Sequence, residues 1–237
     1  MDAVTRAGTG VRAPAVEVRQ VYRFFHAGHE EVLALRGVSF DVAPGEFVAI
    51  SGPSGSGKST LLAAIAGLDD PDGGIVLVAG ERMSHRPERD RARLRRSLVG
   101  VLYQSNNLVG HLTVTENVRL VRALTGHRSE GTAELLDAVG LTRRAHALPE
   151  QLSGGEAARA GLAVALAGHP TVLVADEPTA ELDTVAETQV LRLLRQATDR
   201  GVAVIVATHS PRVTAMADRV VELHDGQVRR GLAAVTP

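Results

Sequence analysis

VAISGPSGSGKST, Val48 to Thr60, decides how the rest of the chain is read. An apolar run enters a loop of small residues, and a helical pattern, KSTLLAAIAGL, follows and closes at Gly67. Gly52, Gly57, Lys58 and Ser59 satisfy G-x-x-x-x-G-K-[ST]. In such a loop the glycines let backbone amides wrap phosphate oxygens at the positive end of a helix dipole. Gly52, Pro53, Ser54, Gly55, Ser56, Gly57, Lys58, Ser59 and Thr60 are therefore the expected phosphate-binding residues. Lys58 reaches the β- and γ-phosphates in this reading, and the Ser59 hydroxyl goes to Mg²⁺. Lys58 is also the only lysine; every other one of the 26 basic residues is arginine. A compact ammonium on a thin stem enters a narrow cradle that a planar guanidinium does not. The alternative is a plain Gly/Ser turn with an incidental lysine, and the flanking strand and helix weigh against it. The loop alone specifies a nucleoside triphosphate, because kinases and GTPases use one too.

Composition narrows the class. The 237 residues suffice for one large domain or a core plus a small subdomain. Hydrophobic residues make up 44% and aromatics only 3%, with no Trp and no Cys, so the core must be Val, Leu, Ile and Ala. The lack of cysteine excludes disulfides and thiolate metal sites. A net charge of −1 argues against a general nucleic-acid binder. No apolar run approaches the ~18 residues a membrane span needs, and the N-terminus lacks a signal-peptide core. A soluble, cytoplasmic chain is expected.

The chain alternates strands and helices, which predicts an α/β layered core. Residues 1–15 read as a loose tail. AVEVRQVYRFF and VLALRGVSFDVAPGEFVAI read as strands broken at APG, and GGIVLVAG and LVGVLYQ as further strands. RPERDRARLRRS, Arg86 to Ser97, is a basic stretch, read as a solvated helix face in preference to a lipid or protein contact. TVTE, Thr113 to Glu116, is a capping-box pattern, and 116–148 looks largely helical with a break near TGHRSEG. TVLVADEP and GVAVIVATH are continuous apolar runs, as parallel strands buried on both faces require. RVVELHDGQV reads as a closing hairpin turning at Asp225-Gly226. The helix-rich stretch 106–160 is an expected subdomain.

LSGGEAARAGLAVAL is the second informative stretch. Ser153 and Glu156 form a capping box, yet Gly154 and Gly155 occupy the first turn. Glycine costs about 1 kcal/mol relative to alanine inside a helix, so something is expected to approach that backbone closely. A hydroxyl, bare amides and a helix N-terminus suit a second anion.

LSGGE resembles the signature of the ATP-binding cassette (ABC) ATPases, and the family's other motifs follow in order over about residues 16–230. The resemblance implies a P-loop NTPase core with an N-terminal antiparallel β subdomain and a helical insertion, followed by a tail at 231–237. Gln104 in LYQSNNL corresponds to the Q-loop glutamine. VLVADEP looks like the Walker B strand, with Asp176 holding Mg²⁺ and Glu177 polarising the attacking water. AELD, Ala180 to Asp183, resembles the D-loop, and His209 in VIVATHS the switch histidine. Catalytic roles are thereby implied for Glu177, His209, Lys58 and Gln104. ATP contacts are implied for the P-loop and for Ser153, Gly154, Gly155 and Glu156, and Mg²⁺ contacts for Ser59, Gln104 and Asp176. Phe25 is the expected adenine-stacking residue, with Tyr22 the competitor.

Family members work as head-to-tail homodimers that clasp ATP between one P-loop and the other signature. The resemblance implies the same here, with a separate integral-membrane permease, a place at the inner face of the cell membrane, and no nucleic acid. RARLRRSLVGVLYQSNNLVGHLTVTENV is similar to the lipoprotein-release and macrolide-export branch, which implies an exporter. The alternative is a mechanotransmission ATPase driving an envelope or cell-division partner without moving solute. A soluble switch on ribosomes or DNA is a third reading, disfavoured because the chain has one cassette and no coiled-coil or zinc insertion. Ala157 and Ala158 replace usual glutamines, Val164 a common arginine, Ala180 a glycine, and Ser210 the usual aspartate of THD. An active ATPase is expected, with Ser210 leaving no carboxylate beside the switch.

Overall fold

The computed structural model describes residues 13–27, 30–105, 107–127 and 131–229. The described elements, in chain order, are β1 (Val16–Ala27), β2 (Glu30–Val42), β3 (Phe47–Ser51), α1 (Lys58–Ile65), β4 (Gly73–Val78), β5 (Glu81–Arg82), α2 (Glu88–Leu98), β6 (Val99–Leu102), α3 (Val114–Leu124), α4 (Thr132–Ala138), α5 (Gly154–Leu166), β7 (Val172–Asp176), α6 (Thr184–Asp199), β8 (Ala203–Ala207), α7 (Pro211–Met216), β9 (Arg219–His224) and β10 (Gln227–Arg229).

Two sheets result. The first is antiparallel, in the order β2-β1-β4-β5; the second runs β10-β9-β3-β8-β7-β6. Strands β6, β7, β8, β3 and β9 are all parallel, and only β10 returns antiparallel, on β9. The parallel strands are continuous apolar runs because both faces are covered. In β3, Val48 and Ile50 join one core cluster with α1 and the antiparallel sheet, while Phe47 and Ala49 join another with α6. All four are fully buried.

The register sets the site. Ile50 of β3 and Asp176 of β7 both pair with Ala207 of β8, so the three strands end level. Whatever follows them gathers at one carboxyl edge, where open α/β sheets form their sites.

Several expectations need correction. Helix does not fill 116–148: α3 begins at Val114, and α4 stops at Ala138. Gly140, at φ 70°, ends α4, with Leu141 N–H donating to Leu136 O and Gly140 N–H to Asp137 O. Only short 3₁₀ turns, Thr142–Arg144 and Pro149–Gln151, precede α5. The expected break partly lies outside the described residues, at 128–130. Of the expected tail 1–15, residues 1–12 lie outside the described residues. Ala15 is buried and donates to Val42 O at 2.8 Å, so it already belongs to the sheet. The expected tail 231–237 also lies outside the described residues. Helices α6 and α7 and the parallel pairing of β9 with β3 add to the elements expected from the sequence.

The Asp225-Gly226 turn has φ of 47° and 74°, as a tight I′-type hairpin requires. The basic stretch forms α2, with no buried residue, yet two arginines turn toward the body. Arg95 donates to Gly67 O at 2.6 Å, and Arg91 stands 3.7 Å from the Asp70 carboxylate.

Candidate functional site

The loop after β3 and the ends of β7 and β8 border an open cavity of about 860 Å³. Its walls include Ser54, Gly55, Gly57, Lys58, Ser59 and Thr60, together with Gln104, Asp176, Glu177 and His209. Gly52, Pro53 and Ser56 do not line it; they form the loop's supporting side. Gly57 opens α1 at φ 99°, and a Cβ there would come within 2.4 Å of Ala34 O. Only glycine meets both conditions.

Lys58 is 7% exposed. Its Nζ donates to Gly52 O at 2.8 Å and Pro53 O at 3.0 Å, and stands 3.3 Å from His209 Nε2. A slender ammonium makes all three approaches from one point.

Glu177 follows β7 with φ 45°, a left-handed conformation costing about 1–2 kcal/mol for a residue with a side chain. Its N–H donates to Ala207 O at 2.9 Å, extending the β7–β8 ladder through the kink. The kinked residue carries its carboxylate under the His209 loop. His209 N–H donates to Glu177 Oε2 at 3.3 Å, and Nε2 stands 3.3 Å from Oε1. A carboxylate, an imidazole and a lysine side chain therefore converge, each contributed by a different strand end.

Ser59 and Asp176 face the same cavity with a hydroxyl and a carboxylate. Hard oxygen donors suit Mg²⁺. Among the described residues no cluster of three His, Cys, Asp or Glu side chains could hold a metal. Mg²⁺ is a cation that takes one or two protein oxygens plus substrate phosphates, and this donor set fits that habit. Gln104 is exposed, and its Nε2 donates to Glu181 Oε1 at 3.3 Å, while it still borders the cavity. Phe25 lines the cavity, 42% exposed, with the Arg23 guanidinium 4.7 Å over its ring. Tyr22 lies elsewhere, against Gly37 and Gly73.

Ser153, Gly154, Gly155 and Glu156 do not line this cavity; the chain does not bring its own signature to its own phosphate loop. The capping box is complete. Ser153 Oγ accepts from Glu156 N–H at 3.3 Å, and Glu156 Oε2 accepts from Ser153 N–H at 2.8 Å. That amide, and then Arg144 at 2.8 Å, hold the Glu156 carboxyl down to about 2. The expectation about the glycines changes in part. A Cβ on Gly155 would lie 2.7 Å from the Ala186 Cβ, so the close neighbour within this chain is α6. A Cβ on Gly154 would meet nothing closer than Leu182 Cδ2 at 3.9 Å. Ala158 and Val164 are half-buried and pack against core clusters, where the resemblance leads one to expect polar residues. Sequence reasoning missed Ala34, Thr179 and Glu187, which also border the cavity, as do Ala180 and Leu182 of the AELD stretch. Glu187 gives no local signal, since it is one acidic residue in the first turn of α6.

A family model described as ABC transporter matches residues 35–180. An uncharacterized ABC transporter ATP-binding protein of Thermotoga maritima is 41% identical over 225 residues, covering 92% of this chain and 96% of that one. The macrolide export ATP-binding/permease protein MacB of Escherichia coli K12 is 40% identical over 94% of this chain, which spans only 35% of MacB. Among solved structures, the dimeric post-hydrolysis state of the ATP-binding cassette MJ0796, bound to ADP and Pi, superposes with TM-score 0.85 at 34% identity, covering 92% of this chain and 98% of that one.

Proposed function

From the premise that this chain belongs to the ABC transporter family of ATP-binding proteins, we propose that it is the ATP-hydrolysing subunit of an exporter, acting on an integral-membrane permease carried on a separate chain. One observation carries the reading: Lys58, Glu177 and His209 meet within 3.3 Å contacts in one cavity at the carboxyl edge of β3, β7 and β8. In this reading Lys58 turns its ammonium from the loop carbonyls to the phosphate oxygens. Glu177 holds and polarises the attacking water, and His209 stands beside the reacting phosphoryl group. Ser59 and Asp176 would hold Mg²⁺, which supplies charge neutralisation on the phosphate oxygens. Phe25 offers a ring face to adenine.

The signature lies outside the cavity, which supports a head-to-tail homodimer in which each Ser153–Glu156 segment faces the partner's phosphate loop. MJ0796 is dimeric with ADP and Pi. MacB, as its name states, joins ATP-binding and permease functions in one protein. No described helix is long and apolar enough to cross a membrane. A place at the inner face of the cell membrane, through the permease, follows from the proposal.

The test is turnover of Mg-ATP by the purified chain. Phosphate release in the wild type and at least about 100-fold less in Glu177→Gln is expected. Equal rates in the two would reject the ATPase reading. Co-purification with an integral-membrane protein supports the transport half; bound rRNA or DNA would reject it.

A further inference from the structure

Glu187 borders the nucleotide cavity on the first turns of α6, with its side chain 13% exposed. Both of its oxygens are taken by the segment that carries His209. Ser210 Oγ donates to Oε1 at 2.8 Å, and Arg212 Nη1 donates to Oε2 at 2.8 Å. Arg212 also reaches Thr184 O at 3.4 Å and Thr188 Oγ1 at 3.1 Å, so its guanidinium grips the start of α6.

The Ser210 hydroxyl is diverted to make this contact. Ser210 is the N-cap of α7, where a serine ordinarily accepts a bond from a helix amide. Here its side chain caps nothing and goes to Glu187. Thr208, His209 and Ser210 alone connect β8 to α7. Thr208 is fully buried, with its N–H on Ile50 O at 3.0 Å, which anchors one end of the connection. The Ser210–Glu187 bond anchors the other. His209 is stretched between the two anchors. The serine itself brings no carboxylate to the switch, and α6 supplies one.

We propose that Glu187 is a positioning residue for His209: through Ser210 and Arg212 its carboxylate sets the loop that presents the imidazole to Lys58 and Glu177. The proposal rests on the ATPase reading above for its catalytic consequence, not for its geometric one. Because α6 begins directly after Ala180–Asp183, the same carboxylate also ties that segment to the His209 loop.

The experiment uses the full chain with Glu187→Ala and Glu187→Gln, alongside Glu177→Gln. Glu187→Ala is expected to lower kcat about tenfold, with KM and ATP affinity within about twofold, because a small misplacement of a reacting group is enough. Glu187→Gln, which keeps an acceptor, is expected to restore most of the rate. A wild-type kcat in Glu187→Ala overturns the proposal, as does a parallel loss of kcat, ATP affinity and melting temperature. The imidazole NMR signal of His209, identified by its loss in His209→Ala, is the second readout. It is expected to move in Glu187→Ala and to return in Glu187→Gln; an unmoved signal overturns the proposal. Should the wild type turn over no faster than Glu177→Gln, the ATPase reading fails, and the His209 signal alone decides the positioning claim.

Discussion

Lys58 shows how much one residue can carry. Its ammonium makes three approaches of 2.8, 3.0 and 3.3 Å at 7% exposure, in space bounded by backbone carbonyls and an imidazole. A guanidinium is broader, planar and unable to rotate its donors independently. Lys58→Arg, although it conserves charge, is therefore expected to weaken Mg-ATP binding by at least about tenfold, within about threefold of Lys58→Ala. Calorimetric titration of the two variants checks this; near-native affinity in Lys58→Arg would show that charge alone matters. Sequence alone exposed this position, since a lone lysine among arginines stands out. It did not expose Glu187, whose role depends on a contact to Ser210, 23 residues later, that no local pattern encodes. Gly155 lies between these cases. The misfit of glycine in a helix was legible, but the neighbour that requires it, Ala186, belongs to another element.

At the scale of elements, capping geometry was the most readable feature and also has a measurable pH signature. Both T-x-x-E and S-x-x-E patterns form complete boxes, opening α3 and α5. The glutamates Glu116 and Glu156 are both held below their ordinary range, mainly by the amide of the capping residue. For Glu156 the folded value is about 2 against an ordinary 4.5. A depressed carboxyl stabilises the fold above the unfolded value and loses that contribution as pH falls through the folded one. The charge of Glu156 thus stabilises α5 fully at neutral pH, and the effect drains away between about 4.5 and 2. Glu156→Gln keeps a capping partner without the charge. Its melting temperature is expected to lie below wild type by a constant margin from pH 7 to 5, and the margin should narrow below 4.5. A margin independent of pH would assign the effect to geometry instead. Helix α6 is less readable because it starts directly after the Ala180–Asp183 loop motif, whose last residue, Asp183, is its N-cap. The parallel pairing of β9 to β3 was hidden because RVVELH looks the same whether it pairs once or twice.

The whole molecule was legible to the extent that buried strands announce themselves. Three apolar runs became β3, β7 and β8, adjacent and level at their carboxyl ends, and most of the expected site residues fall just beyond them. What strand patterns do not convey is how far apart two sites stand once the chain is folded. The phosphate loop and the signature both open helices, yet only the first borders the cavity. In the proposed dimer one chain offers half of the contacts to a triphosphate, and a second copy related by a two-fold axis offers the rest at two equivalent places. Nucleotide then acts as interface, so association should track the intact triphosphate and not the protein alone. Glu177→Gln, which binds without cleaving in this scheme, is expected to shift from 24.9 kDa to twice that mass on adding Mg-ATP, and to stay at the lower mass with Mg-ADP. Ser153→Glu, which places a carboxylate where the partner's γ-phosphate is expected, should abolish the shift while leaving binding to a single chain intact. Light scattering in the two nucleotides decides the matter. A Glu177→Gln chain that binds Mg-ATP and remains at 24.9 kDa would leave the signature without a ligand, and the two-copy site would have to be abandoned.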